Sequence, residues 1–363
     1  MGTYTEYKPA LKGCVDVNGK KYYVSGNTAE GFIRLLPSNV SSFAHTVILC
    51  HPSERLKTMV LKNLIAQLEQ KHEIEVLLSA LGSNYLDGFI VREKAVAVVT
   101  DRVAEKDLSG TIELNINYFL DSKSEISNDF KEKHQKSTEA AYHSFKKGLK
   151  IHDELEKIYI NEMDFNRADE LAENLIHELL AQKAAKPENN PHEYKRMFGT
   201  NTPQGAVNIV PELIDSISTV YYLKGRAGTG KSTFMKKIAA ACKVHGFDLE
   251  KYYCSFDPGS IDMIYVPALD VAIFDSTDPH EFFPSRKGEI IIDLYEEAVA
   301  PGTDEKYADE IEKTTKRYKA HMKKGIQHLQ EADRYLDSFE GQFQYTEKEI
   351  NNIVTFIEEN FFA

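Results

Sequence analysis

Apolar and polar positions follow one order twice along this chain. In the first half a short apolar run, Thr46 to Leu49, leads into a stretch with helical spacing, Lys57 to Gln70. In the second, Val220 to Leu223 leads into Ser232 to Val244. Each pair reads as a buried strand followed by a helix. A second apolar strand comes next, Ile74 to Leu78 or Leu249 to Ser255, and then a hairpin-like pair ending at Val99 or Phe274. Ahead of the first buried strand each copy shows a short strand and a helix whose expected N-cap is Thr28 or Thr202. Strands alternating with helices predict an α/β fold, with a mostly parallel sheet covered by helices on both faces.

The repetition reaches individual residues. At a constant offset of 174, Asn27, Thr28, Gly31, Pro37, Ser42, Leu49, Lys57, Lys62 and Ala66 face Asn201, Thr202, Gly205, Pro211, Ser216, Leu223, Lys231, Lys236 and Ala240. After a one-residue shift, Asp87, Val96 and Ala97 face Asp262, Val271 and Ala272. A chain of 363 residues has room for two such units. They are expected at 1–185 and 192–363, joined by a linker at 186–191, where two prolines and two asparagines cannot continue a helix. Each unit then leaves the sheet for a long charged helix, roughly Ser122 to Ile160 and Asp304 to Phe339, with shorter helices at Phe165 to Gln182 and Glu347 to Asn360. Tyr318, Met322, Ile326 and Leu329 form one apolar stripe, which favours an intramolecular helical hairpin over a partner-binding coiled coil.

A net charge of −12 argues against a general nucleic-acid surface or an acidic membrane surface, because both need clustered Lys and Arg. Cys14, Cys50, Cys242 and Cys254 have neither metal-ligand nor disulfide-framework spacing and read as reduced thiols. No apolar run approaches the roughly 18 residues of a membrane span, and no basic start followed by an apolar core marks a leader. A cytoplasmic protein without a membrane partner is the expectation.

The candidate chemistry lies between the buried strand and helix of the second half. Gly225-Arg226-Ala227-Gly228-Thr229-Gly230-Lys231-Ser232 matches the phosphate-binding pattern G-x-x-x-x-G-K-[ST] at every defined position. Glycines let the backbone wrap a phosphate with its own N–H groups, and the helix beginning near Thr233 directs its positive end at the anion. Lys231 is expected at the β- and γ-phosphates and Ser232 at Mg²⁺. Asp275, closing the apolar run Val271-Ala-Ile-Phe, is the candidate second metal-side group. Asp257 follows another strand and reads equally as a group orienting water or an acceptor and as a turn residue before Pro258-Gly259. His280, Arg226 and the Arg286-Lys287 pair are further candidates for phosphate contact, with a surface role the simpler reading. Asn201, Thr202 and Asp262 have partners in the first half and read as architectural.

At the matching place in the first half, His51, Glu54 and Leu56 replace the three loop glycines, and Pro52 removes a donor. A carboxylate at Glu54 would repel phosphate. Lys57 and Thr58 persist, with Lys57 expected to pair with Glu54 or the helix to be capped locally. Thr100 aligns with Asp275, or Asp101 with a one-residue slip. The first unit therefore reads as a degenerate copy.

The tandem layout, Gly-Asn-Thr-x-x-Gly near the start of each repeat, the loop Gly225 to Ser232, the segment Tyr253-Cys-Ser-Phe-Asp257 and the segment Val271-Ala-Ile-Phe-Asp275-Ser-Thr-x-Pro-His280 together resemble a bacterial family, found chiefly among Firmicutes, of tandem P-loop ATPase or nucleotide-kinase-like proteins. The resemblance implies duplicated P-loop NTPase-like domains, with ATP and Mg²⁺ bound at the second copy, and implies no acceptor substrate. The expected activity is ATP hydrolysis or γ-phosphate transfer involving Lys231, Asp257 and Asp275. The alternative is a nucleotide-dependent switch that engages a protein partner through its helices.

Overall fold

The computed structural model describes residues 19–106, 108, 110–121, 126–181, 190–278 and 281–362. The first half contains β1 (Lys21–Tyr23), β2 (Ser25–Thr28), β3 (Gly31–Arg34), α1 (Pro37–Val40), β4 (His45–Cys50), α2 (Glu54–Leu68), β5 (Glu75–Leu78), β6 (Leu86–Val91), β7 (Val96–Thr100), β8 (Thr111–Asn115), α3 (Asp129–Ile160) and α4 (Phe165–Leu180). The second contains β9 (Glu193–Met197), β10 (Gly199–Thr202), β11 (Gly205–Asn208), α5 (Val210–Ile214), β12 (Thr219–Lys224), α6 (Lys231–Val244), β13 (Leu249–Tyr253), β14 (Ile261–Val266), β15 (Val271–Asp275) and β16 (Glu289–Asp293), then α7 (Leu294–Ala298), α8 (Thr303–Lys306), α9 (Ala308–Glu340) and α10 (Glu347–Phe361). The expected 186–191 linker lies mostly outside the described residues.

One 12-stranded sheet, ordered β16-β12-β15-β14-β13-β9-β1-β5-β6-β7-β4-β8, runs through both halves, and the fold is α/β. Outward from the β9–β1 seam the order is the same in either direction. Neighbours are parallel at β12–β16, β12–β15, β13–β9, β1–β5, β4–β7 and β4–β8. They are antiparallel in the hairpins β13–β14–β15 and β5–β6–β7 and at the seam, so more junctions are parallel than antiparallel. Central strands such as β4, β7 and β12 are almost wholly buried, which explains why they read as continuous apolar runs. The edge strands β8 and β16 are largely exposed and mix polar with apolar residues, so the sequence pattern gave no sign of them.

Thr28 and Thr202 do not cap helices. Each closes a two-stranded hairpin, β2–β3 or β10–β11, where its hydroxyl donates to the carbonyl of Gly31 or Gly205 and accepts from the amide of Glu30 or Gln204. Such local side-chain bonding competes with helix initiation. Between these hairpins and β4 or β12 lie only the short helices α1 and α5, each with a proline in its first turn.

The long helices α3 and α9 pair with each other, and thus across the halves. The pair is antiparallel: His134 meets Ala332, Phe145 lies against Gly325, Gly148 adjoins Tyr318 and Met322, and Glu154 pairs with Arg317 at 2.8 Å. The shorter helices are exchanged as well. Ala172 and Leu175 of α4 share a core with Phe234, Met235 and Ile238 of α6, while Ile350, Ile353, Val354 and Ile357 of α10 share one with Leu61, Leu64 and Leu68 of α2. Each half therefore has its strand-following helix covered by a helix belonging to the other half in sequence.

Candidate functional site

β12 ends at Lys224 and its chain turns through Gly225–Gly230 into α6, whose buried face is Phe234, Met235, Ile238, Ala239 and Cys242. Gly228 and Gly230 have φ of +77° and +75°, a conformation that costs other residues about 1–2 kcal/mol. The loop is internally tied: Thr229 Oγ1 accepts from the Arg226 amide at 3.2 Å and donates to the Arg226 carbonyl at 2.9 Å. Lys231, almost buried, folds back over the loop, donating to the Arg226 carbonyl at 2.7 Å, with its Nζ 3.6 Å from Asp275 Oδ2. Asp275 reaches that position because β15 runs parallel beside β12 with Leu223 opposite Asp275.

Other sequence candidates converge only in part. Ser232 Oγ accepts from the Ile261 amide at 2.9 Å, and Thr233 is exposed. Asp257 accepts from the Gly259 amide at 3.0 Å and the Ser260 hydroxyl at 2.8 Å, fulfilling the turn reading, yet its charge also acts on Asp262 and His152. Ala227 packs with Leu155, Ile158 and Tyr159 of α3. Arg226 points to Asp304, 3.0 Å away, and lies over the Tyr295 ring. Arg286 is elsewhere: it donates to the carbonyls of Ile214, Asp215 and Ile217 at the end of β12 opposite the loop, and Lys287 is exposed. His280 lies outside the described residues.

Asp262 belongs to the site despite having a first-half counterpart. Burial, and then the nearby Asp275 carboxylate, push it up to about 8. Its counterpart Asp87 instead accepts from Ser25 at 2.6 Å and faces Arg102 at 3.4 Å. Asn27 and Asn201 are architectural, each donating its side-chain amide to the other's carbonyl, at 2.8 and 2.9 Å.

The sequence pattern gave no sign that α3 reaches this loop. A Cβ on Gly228 would sit 2.5 Å from the Glu156 carbonyl oxygen, so the helix backbone rests on the loop apex. One turn earlier, His152 lies edge-on to Phe256 at 5.5 Å and to Tyr318 at 5.3 Å. Tyr159 donates to Asp304 at 2.9 Å, joining α3 to the carboxylate that holds Arg226.

The first-half loop is filled from within. Glu340, at the end of α9 and almost wholly buried, accepts from Ser53 Oγ at 2.5 Å, the Glu54 amide at 2.7 Å and the Arg55 amide at 3.3 Å. A side-chain carboxylate thus occupies the N-terminus of α2, the place where anions bind helices. Ser53 also caps α2 through the Leu56 amide. Lys57 pairs with Glu54 at 2.9 Å and with Asp101; burial opposes its charge, but the two carboxylates together hold its pKa above the ordinary value. The register opposite Leu49 belongs to Thr100, so Thr100 and not Asp101 is the counterpart of Asp275. A carboxylate on the otherwise apolar stripe Ala332, Leu336, Phe339 was the one available sign of Glu340 in the sequence.

A cavity of about 500 Å³ opens at the other edge of the seam, lined by Glu75, Arg92, Arg196 and Glu250 among others. Its charges pair with one another and lie away from the glycine loop. Among the described residues no cluster of three or more His, Cys, Asp or Glu is arranged to hold a metal ion, and no helix is long and apolar enough to cross a membrane. Mg²⁺ at a phosphate site draws most of its ligands from phosphate and water, and one hydroxyl with one carboxylate, as in Ser232 and Asp275, is a donor set that fits it. No family model, curated protein or solved structure matches this chain.

Proposed function

We propose that the chain is a tandem of P-loop NTPase-like units in which residues 225–233 bind ATP with Mg²⁺ and the first unit is a degenerate copy. The observation that carries the reading is the convergence of Lys231 and Asp275, 3.6 Å apart, at the mouth of a glycine-turned loop that opens a 14-residue helix. In this reading the loop amides and the α6 N-terminus hold the phosphates, and Lys231 exchanges the Arg226 carbonyl for the β- and γ-oxygens. Ser232 and Asp275 hold Mg²⁺, which supplies charge stabilisation of the transferring phosphoryl group. Asp257 orients the attacking water or an acceptor hydroxyl. Steady-state phosphate release by the purified protein tests the hydrolytic form, with Lys231→Ala as the control. Release no faster than the control removes the ATPase reading and leaves transfer or binding.

A second reading, a nucleotide-dependent switch acting on a protein partner through the long helices, is favoured by the contacts of α3 and Asp304 with the loop. It predicts tight binding, little turnover and a nucleotide-dependent change in hydrogen-exchange protection of Thr303 to Phe339. Equal protection with and without ATP counts against it.

A further inference from the structure

Each half presents the C-terminal end of a long helix to the other half's loop, and the two contacts differ. At the first-half loop the visiting side chain is Glu340, which satisfies the helix amides itself. At the second-half loop α3 brings the Glu156 carbonyl against Gly228 and, one turn back on the same face, the imidazole of His152. His152 is held by aromatic contacts on two sides, Phe256 beside Asp257 and Tyr318 of α9. Its Nδ1 is buried and makes no hydrogen bond, and the Glu156 carboxylate, 3.5 Å away, pairs with it only when the ring is protonated. Buried polar nitrogens are ordinarily bonded, so an unmatched one beside a candidate phosphate site calls for a ligand or a water. The side chain keeps 23 % of its surface open. The charges facing it come from every side of the site: Lys231 of α6, Asp257 after β13, Asp275 of β15, and Asp153 and Glu156 of its own helix. Burial, and then Lys231, lower its pKa and keep the ring neutral near pH 7, with one nitrogen a donor and the other an acceptor.

We propose that His152, contributed by the degenerate half, hydrogen-bonds the terminal phosphate of a nucleoside triphosphate bound at the second-half loop, so that the two halves form one composite site able to tell triphosphate from diphosphate. This rests on the nucleotide-binding reading of residues 225–233. The loop, with Lys231, would recognise the phosphates common to both ligands, whereas a group one turn beyond the loop apex is placed to meet only the terminal one. The same contact would link triphosphate occupancy to the α3–α9 pair.

The test is calorimetric titration of the full-length chain with Mg²⁺ and either ADP or a non-hydrolysable ATP analogue. His152→Phe keeps a flat ring between Phe256 and Tyr318 while removing both nitrogens, and His152→Gln restores a donor. His152→Phe should weaken the triphosphate analogue by about tenfold or more and change ADP by less than about twofold, and His152→Gln should recover part of the difference. Equal effects on both ligands, or none, overturn the proposal while leaving nucleotide binding intact. Failure of the wild-type protein to bind either ligand removes the underlying reading and this inference with it. If the variants do not fold, the ring-nitrogen resonances of His152 in the wild-type protein decide the matter: a shift on adding the triphosphate analogue, absent with ADP, supports the contact, and identical spectra reject it.

Discussion

Asp262 and Asp87 hold one position in two copies and meet opposite surroundings. Asp87 lies beside Arg102 and accepts a hydrogen bond from the Ser25 hydroxyl, whereas Asp262 has Asp275 near it and Lys231 only as a weaker influence. The second half therefore sets two carboxyl groups together where the first sets its carboxylate against a cation, and burial with the Asp275 charge favours the protonated form of Asp262. The native state keeps a proton on Asp262 that the unfolded chain has released, from the ordinary aspartate value of roughly 3.9 up to about 8. The stability this contributes is fully present at the acidic end of that window and is lost as pH rises through it. Asp262→Asn, which stays neutral, should lack this loss. In urea titrations without nucleotide or Mg²⁺, wild type should therefore lose stability relative to Asp262→Asn between about pH 4 and pH 8, by roughly 1.4 kcal/mol for each unit of pKa difference retained. A constant difference across that range would show that Asp262 ionises normally.

At the scale of elements, helical extents were legible and helical partners were not. The expected Phe165 to Gln182 helix is α4, Phe165–Leu180, and the expected apolar stripe Tyr318, Met322 and Ile326 packs within the chain, against α3 of the other half and not in a hairpin of neighbouring helices. Periodicity records which face of a helix is apolar but not what covers it. The face of α4 carrying Ala172 and Leu175 could have met either α2 or α6, and α10 is equally ambiguous. The glycine loop and Asp275 were legible because each follows a buried strand in a local pattern. His152, Tyr159 and Glu340 were not, because only the exchange of helices brings them to the loops, and Asp304 was not because it lies 78 residues beyond Arg226 in sequence. Glu340 allows the exchange to be measured. Its carboxylate accepts from Ser53, Glu54 and Arg55; a hydrogen bond to a charged group contributes about 1.5–3 kcal/mol, and the cost of burying the carboxylate offsets part of the sum. Glu340→Ala should lower stability by about 2–3 kcal/mol and speed hydrogen exchange at the Glu54 and Arg55 amides. Glu340→Gln, which keeps an acceptor but not the charge, should fall between. Unchanged exchange at those two amides would mean that the end of α9 does not hold α2.

Within the sheet the halves of the molecule meet along a narrow seam. Only Tyr23 and Met197 pair as strand residues there, and residues 174 apart face one another: Tyr22 with Arg196, and Asn27 with Asn201. Arg196, almost wholly buried, lies over the Tyr22 ring at 3.7 Å and pairs with Glu250 of its own half at 2.7 Å and with Glu75 of the other at 3.7 Å. Lys20 reaches across to Glu250, and Arg92 braces Glu75 at 2.5 Å. Burial opposes the charge on Glu250, yet Arg196 and Lys20 hold its pKa below the ordinary range, and Arg92 chiefly does the same for Glu75. A buried ion cluster of this kind is costly to break by halves and need not be costly to replace whole. Arg196→Met alone leaves Glu250 and Glu75 short of a cation and should lower stability by about 3–5 kcal/mol. Adding Glu250→Gln and Glu75→Gln, with Lys20→Met and Arg92→Met so that neither of their cations is left unpaired, replaces the cluster whole and should recover most of the loss. If the seam as well as the α3–α9 pair holds α3 on the second-half loop, the single variant should also raise exchange at the Gly228 and Thr229 amides, and the full replacement should reverse that rise. Equilibrium unfolding combined with hydrogen exchange on the three proteins reads both effects. Recovery of stability without recovery of protection would mean that the charges specify how the halves are docked, beyond holding them together.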